Sequence, residues 1–436
     1  MAGATVEPPR PTAQPFQDLV EESLEEAAFL WKRWETDLAS TTRNLDEVWS
    51  WTEDRLQGAL DGARVARDEL QQLTAAALET NSPAQRTVCA HLLAARCSAN
   101  AVARLAEVIR ETQGPQLWSM IRGIETAQLD ASFAAVTPVL SSSGPEHLAA
   151  LCRLKSFRRS PPGREVAEAF SSGDPVAQVE ALRVLRHARD DSAGKFVSAG
   201  LKSDDSEVRR AAIECGVRQR QASAWEAMRK LAHERNPECG PFLTLLASLG
   251  SEEDSQLVLG ALREPALQRS ALFALGFIGT PQAVEICLAA MHDPKLSRCA
   301  GEVYCAVTGA DLQRDRLVGA EPEEETPALE ADDLDADLVP IPSQTWPLPD
   351  ESRVRGHWEA ARPRYALGAR HYLGKPVNVD VLVTAIEQGP MLRRADLITE
   401  LTIRSGGRYD VEPRAFAHVQ RRMMAASRAA FHAADR

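Results

Sequence analysis

The chain is poor in the residue patterns that carry metal, disulfide or nucleophile chemistry. Its eight cysteines include no C-x-x-C pair. They fall singly in apolar helical patterns, as Cys215 and Cys287 do, and so read as reduced, buried small hydrophobes. That points to a reducing compartment, most simply the cytoplasm. The nine histidines show no H-E-x-x-H or other close ligand spacing, so no metal and no cofactor is expected. No G-x-S-x-G elbow occurs, and no Gly-rich loop is followed by Lys-Ser/Thr; Ser141-Ser142-Ser143-Gly144 is a plain loop. Cys89 and His91 stand two apart on a helix and point to different sides. No run approaches ~20 uncharged apolar residues, which excludes a membrane-spanning helix by pattern. The opening MAGATVEPPRPTAQP lacks the charged-then-apolar order of a secretory signal and is expected to be a disordered lead.

What the chain does have is a beat. Asp174-Pro175, Asn236-Pro237, Glu264-Pro265 and Asp293-Pro294 each set a side-chain acceptor before a proline, and Asp205-Ser206 supplies the missing step. From Pro175 the intervals are 31, 31, 28 and 29 residues. An acceptor at N-cap satisfies orphan N–H groups, and proline at N1 loses no hydrogen bond. A helix start recurring near thirty residues predicts stacked helical hairpins. Val208, Ala211, Ala212 and Cys215 keep the apolar spacing of a helix, as do Val284, Cys287, Leu288 and Met291. No single hairpin can bury such a face, so stacking is obligatory.

The predicted fold class is all-α: an α-solenoid with a small C-terminal helical unit. Residues 1–15 are the lead and 16–151 a helical region of divergent repeats. Residues 152–312 hold the regular repeats, 313–350 an acidic, proline-containing linker, and 351–436 a basic helical unit. Charge divides along the same lines. The net charge is −12, yet residues 321–337 alone carry nine carboxylates and no basic residue. From 353 onward fifteen Lys/Arg face eight Asp/Glu, leaving the end open to an anionic partner.

The stretch DDSEVRRAAIECG at 204–216, with Arg209 and Arg210 beside paired small residues, resembles the bacterial form of HEAT-like repeats. More broadly, EEAAFLWKRW at 25–34, DRLQGALDGARVA at 54–66 and YALGARHYLGKP at 365–376 make the chain similar to an uncharacterised proteobacterial family sometimes encoded near type VI secretion genes. The HEAT resemblance implies a scaffold or adaptor that binds another protein, and the neighbourhood implies a link to type VI secretion. HEAT-like folds also include enzymes. The di-iron hydroxylase type needs several His-Glu pairs, and this chain has only His233-Glu234. The alkylpurine glycosylase type needs a basic, aromatic concave surface, whereas the repeats here are acidic overall.

Candidate binding residues follow from these patterns. Trp31 and Trp34 are i, i+3 neighbours, and tryptophan is enriched at interface hot spots. Arg153, Arg158 and Arg159 lie in a basic loop that contains Phe157. In the tail, Arg364, Arg370 and Lys375 surround Tyr365 and Tyr372, a set suited to carboxylate or phosphate. The expectation is a non-enzymatic, protein-binding chain with no catalytic residue. A nucleic-acid-binding HEAT-like protein and an enzyme of unrecognised type are the alternatives.

Overall fold

The computed structural model describes residues 14–64, 78, 82–95, 99–127, 129–188, 191–321 and 346–434. Residues 1–13 of the expected lead, Cys97 and the acidic run from 322 to 337 lie outside these residues, whereas Gln14 and Pro15, the end of that lead, already belong to the first helix. The chain is all-α apart from one two-stranded hairpin among the described residues. It divides into two compact units, one of 1–36 with 49–184 and one of 37–48 with 185–436.

The first unit begins with α1 (Gln14–Asp37). The chain returns to it through a short π-helix (Trp49–Glu53) and α3 (Asp54–Arg64), after α2 (Leu45–Val48), which belongs to the second unit. Then come α4 (Pro83–Ala95), α5 (Ala99–Glu111), α6 (Gly114–Ala127), α7 (Asp130–Ser142), α8 (Pro145–Phe157), α9 (Arg164–Ser171) and α10 (Pro175–Leu185). Helices pack on their neighbours or on the next but one: α4 on α6, α5 on α7, α6 on α8, α8 on α9. The α4–α6 crossing is close because Gly123 has no side chain. A Cβ there would lie 2.3 Å from the Thr87 carbonyl oxygen and 2.7 Å from the His91 nitrogen.

The second unit holds α11 (Gly194–Gly200), α12 (Ser206–Arg218), α13 (Ala222–His233), α14 (Leu243–Leu249), α15 (Glu252–Ala261), α16 (Gln268–Ile278), α17 (Pro281–Ala290) and α18 (Ser297–Thr308). The five predicted starts divide into two kinds. Asp174 caps α10 by accepting from the Ala177 N–H at 2.8 Å, and Asp205 caps α12 by accepting from Glu207 and Val208. Asn236 caps a 3-10 turn (Pro237–Phe242) that leads into α14. At Glu264-Pro265 and Asp293-Pro294 the helix begins three residues later than predicted. One tight turn comes first, in which the Leu267 N–H bonds the Glu264 carbonyl and the Leu296 N–H bonds that of Asp293.

Beyond residue 346 come α19 (Glu351–Ala361), strands β1 (His371–Tyr372) and β2 (Lys375–Pro376), α20 (Val379–Gln388), α21 (Met391–Arg404) and α22 (Ala417–Ala434). The hairpin was not anticipated. Its two-residue turn, Leu373-Gly374, has φ of 49° and 74°, the positive values that hairpin turns demand. The strained leucine is held from outside: its N–H donates to the Ala306 carbonyl at 2.8 Å, and that of Gly374 to Val307 at 2.9 Å.

Candidate functional site

In the second unit, α14 packs on α16 and α16 on α18. These helices are not bare. Helix α21 packs on α12 and α14, while β1 packs on α16 and α18. The contact is strongly ionic. Arg393 of α21, 0% exposed, grips both carboxylate oxygens of Glu302 on α18 and lies 4.1 Å from the Phe273 ring centroid and 5.1 Å from that of Phe277. Gly276 makes the room, since a Cβ there would sit 2.6 Å from the guanidinium. Glu400 is buried between Arg370 and Arg404, and both arginines also donate to the Ser248 carbonyl. Arg220 donates to the Ile403 carbonyl at 2.6 Å. Asp396, facing Thr244 and near Glu214, has its carboxyl pushed up to about 6, first by loss of solvent. The face that a repeat array would offer a partner is therefore occupied by the chain's own tail.

Arg370 is accordingly part of an internal clamp. Arg364 and Lys375 stand exposed at the ends of the same segment. Arg209 pairs with Glu238 at 2.6 Å and also donates to the Ser203 and Asp204 carbonyls, while Arg210 pairs with Glu207 one turn back.

In the first unit, three of the candidates meet in one network. Trp31 and Trp34 are 2% and 0% exposed, so neither ring offers a docking face. Their rings meet edge-on at 5.5 Å, and their indole N–H groups donate to Glu35 and Glu53. Glu35 pairs with Arg122, which also bonds Glu125 at 3.1 Å and lies 5.2 Å from the Trp34 ring. Glu125 accepts from Arg153 at 2.9 Å, and Arg153 faces Glu180 at 3.7 Å. The alternation of sign from α1 through α6 and α8 to α10 offsets the cost of burying each charge. The rest of the basic loop is engaged within the chain. Lys155 pairs with Glu165, Arg158 with Asp130, and Arg159 caps its own helix through the Ser156 and Phe157 carbonyls.

The exposed apolar side chains of the unit lie elsewhere. Leu24, Ala27, Ala28, Leu30 and Trp31 of α1 are buried, whereas Leu19 and Phe29 are 60% and 66% exposed, and Trp51 is 63% exposed. Helices α1 and α3 run antiparallel: Trp34 meets Glu53, Glu26 meets Arg55, and Ser23 abuts Gly62. Phe29 lies one turn beyond Glu26, and Trp51 one turn before Arg55. Both therefore lie on the same side of that surface ion pair and share one strip with it. The signal was present in the sequence, because Phe29 falls between Glu25, Glu26, Lys32 and Arg33 on the polar face of α1.

The described cysteines are free thiols. Burial pushes Cys89, Cys152, Cys215 and Cys299 up to about 12, far from the thiolate. No described helix is long and apolar enough to cross a membrane.

The class that the fold defines is thus an all-α protein. Comparison with known proteins adds no family to this. No family model and no curated protein matches the chain. Among solved structures, the crystal structure of an engineered protein aligns over 90% of this chain and 98% of its own, at 14% identity and a TM-score of 0.28. That score is too low to carry an argument about fold.

Proposed function

We propose that this chain is a non-enzymatic scaffold, an α-solenoid of HEAT-like hairpins in each unit, which binds another protein through the Phe29–Trp51 strip. The observation that carries this reading is the exposure of two large aromatics on a strip whose other members are charged. Exposed aromatics beside a charged pair, here Glu26–Arg55, match the composition of an interface hot spot. On α1 the carboxylates Glu22, Glu25 and Glu26 precede Lys32 and Arg33, so charge divides by sign along the helix. A partner helix with the same acid-to-base order, laid antiparallel, would match each charge with its opposite. Contacts recurring about thirty residues apart support stacked repeats: Arg209 with Glu238, Arg235 with Glu264, Arg153 with Glu125. A connection with type VI secretion rests on the sequence resemblance alone.

The basic residues proposed for docking are mostly engaged internally, which leaves Arg364 and Lys375 as secondary contacts. The test is capture from the native host with tagged full-length protein, after nuclease treatment. Stoichiometric recovery of one protein that Phe29→Ala with Trp51→Ala abolishes, and Arg364→Ala with Lys375→Ala does not, supports the reading. Recovery unaffected by the aromatic changes refutes it.

A further inference from the structure

The charges on the exposed face of α1 have a spacing that the helix cannot use by itself. Glu25 and Lys32 stand seven residues apart, as do Glu26 and Arg33, and all four are exposed. Ion pairs within a helix close at three or four residues, so neither couple meets. The carboxylates within a turn of the two bases, Glu35 and Asp37, are already held by Arg122 and Arg43. Glu26 has one partner, Arg55 of α3, in a pair at 3.3 Å that is open to solvent on both sides. Glu25, Lys32 and Arg33 form no ion pair among the described residues.

Phe29, 66% exposed, lies midway between the acids and the bases. At about 100° and 1.5 Å per residue, it also falls at the centre of the exposed arc of α1. Glu26 and Arg33 flank it by roughly 50° on the side of α3, and Glu25 and Lys32 by roughly 50° on the other. The α3 side is fixed by the Glu26–Arg55 pair and by Ser23 against Gly62. A second α1 laid antiparallel, with the two-fold axis at Phe29, returns each flank to its own side. Glu26 then comes level with Arg33 of the second copy, and Glu25 with Lys32 of the second copy, each to within about 1.5 Å along the axis. Self-complementarity of this kind is what an isologous interface requires.

We infer that the strip docks a second copy of this chain, α1 against α1 and antiparallel, with Phe29 on the two-fold axis inside four intermolecular ion pairs. The inference rests on the reading of the strip as a protein-docking surface and names its occupant. From Asp18 onward α1 runs about 30 Å and α3 about 16 Å, so a face one helix wide on each offers roughly 460 Å² per copy. Roughly 900 Å² in all is the size of a weak, transient interface, and the dimer is accordingly a reversible one of micromolar affinity.

Sedimentation velocity on the purified full chain, from about 2 to 200 µM, tests this. A reversible dimer is expected, weakened about tenfold or more by Phe29→Ala and weakened again by raising the salt from about 50 to 500 mM. Glu25→Lys with Glu26→Lys should be monomeric, and so should Lys32→Glu with Arg33→Glu, because each sets like charges face to face. An equimolar mixture of the two variants matches all four pairs again and should dimerise. All these positions are exposed, and circular dichroism checks that each variant folds. A wild type that stays monomeric at about 200 µM, a dimer that survives both charge reversals, or a mixture that stays monomeric overturns the inference. If a monomeric wild type still captures a different protein from the host through Phe29, only the identity of the occupant is refuted. If it captures nothing, the docking strip falls as well.

Discussion

The Arg393–Glu302 pair gives the sharpest test of how α21 is held on α18. Replacing Arg393 with Met keeps most of the side-chain length and removes the charge. It leaves the Glu302 carboxylate, 9% exposed, facing Phe273 and Phe277 with no cation. Breaking one half of a buried pair costs about 3–5 kcal/mol. Glu302→Leu alone should cost a similar amount, by stranding a guanidinium that is 0% exposed. The double variant puts two apolar side chains into the same space and should return to within about 1 kcal/mol of the wild type. Hydrogen exchange of peptides covering 391–404, alongside urea unfolding, reads the effect where it arises. A loss below about 1 kcal/mol for Arg393→Met would refute the reasoning, as would a double variant whose loss is the sum of the two singles.

Other outcomes follow from single groups. His91 is held neutral in the folded protein, with its pKa lowered to about 3, first by burial and then by Arg64, while the unfolded imidazole titrates near 6.5. Its contribution is intact above about pH 6.5 and is lost as pH falls toward 3, by at most about 5 kcal/mol. His91→Gln should flatten the acid limb of the first unit's stability curve. Asp396 acts in the opposite sense. Its folded pKa near 6 exceeds the ordinary 3.8, so the folded state gains stability as pH falls from 6 to 4. Asp396→Asn should therefore stabilise the second unit at pH 7.5, by at most about 3 kcal/mol, in thermal unfolding. Gly123→Ala forces a Cβ against backbone atoms of α4 and should cost about 3 kcal/mol or more. Gly58→Ala, where a Cβ meets nothing within 4 Å, should be neutral or stabilise by up to about 1 kcal/mol.

How much of this was legible in the sequence depends on range. Local signals survived: Asp174, Asp205 and Asn236 cap helical turns where the acceptor-before-helix pattern placed them. The two beats at Glu264 and Asp293 ran three residues early because proline there opens a tight turn rather than the helix itself. The Leu373-Gly374 turn was missed because it requires a leucine at positive φ, which only the docking onto Ala306 and Val307 makes tolerable. Long-range pairs were invisible. Nothing in the pattern links Arg393 to Glu302, 91 residues away, or shows that Trp31 faces His91 of α4 and Trp34 faces Arg122 of α6 rather than solvent. Helical periodicity marks an apolar stripe without naming what covers it. The residue that broke the stripe, Phe29, was the better guide to a surface.

The most direct test of the account is a photo-crosslinking amino acid placed at position 29, compared with one at position 364, in full-length protein within the native host. The account predicts a single discrete protein adduct from position 29, lost when Trp51 is replaced by Ala, and at most weak adducts from position 364. A discrete adduct from position 364 with none from position 29 would contradict it and move recognition to the tail.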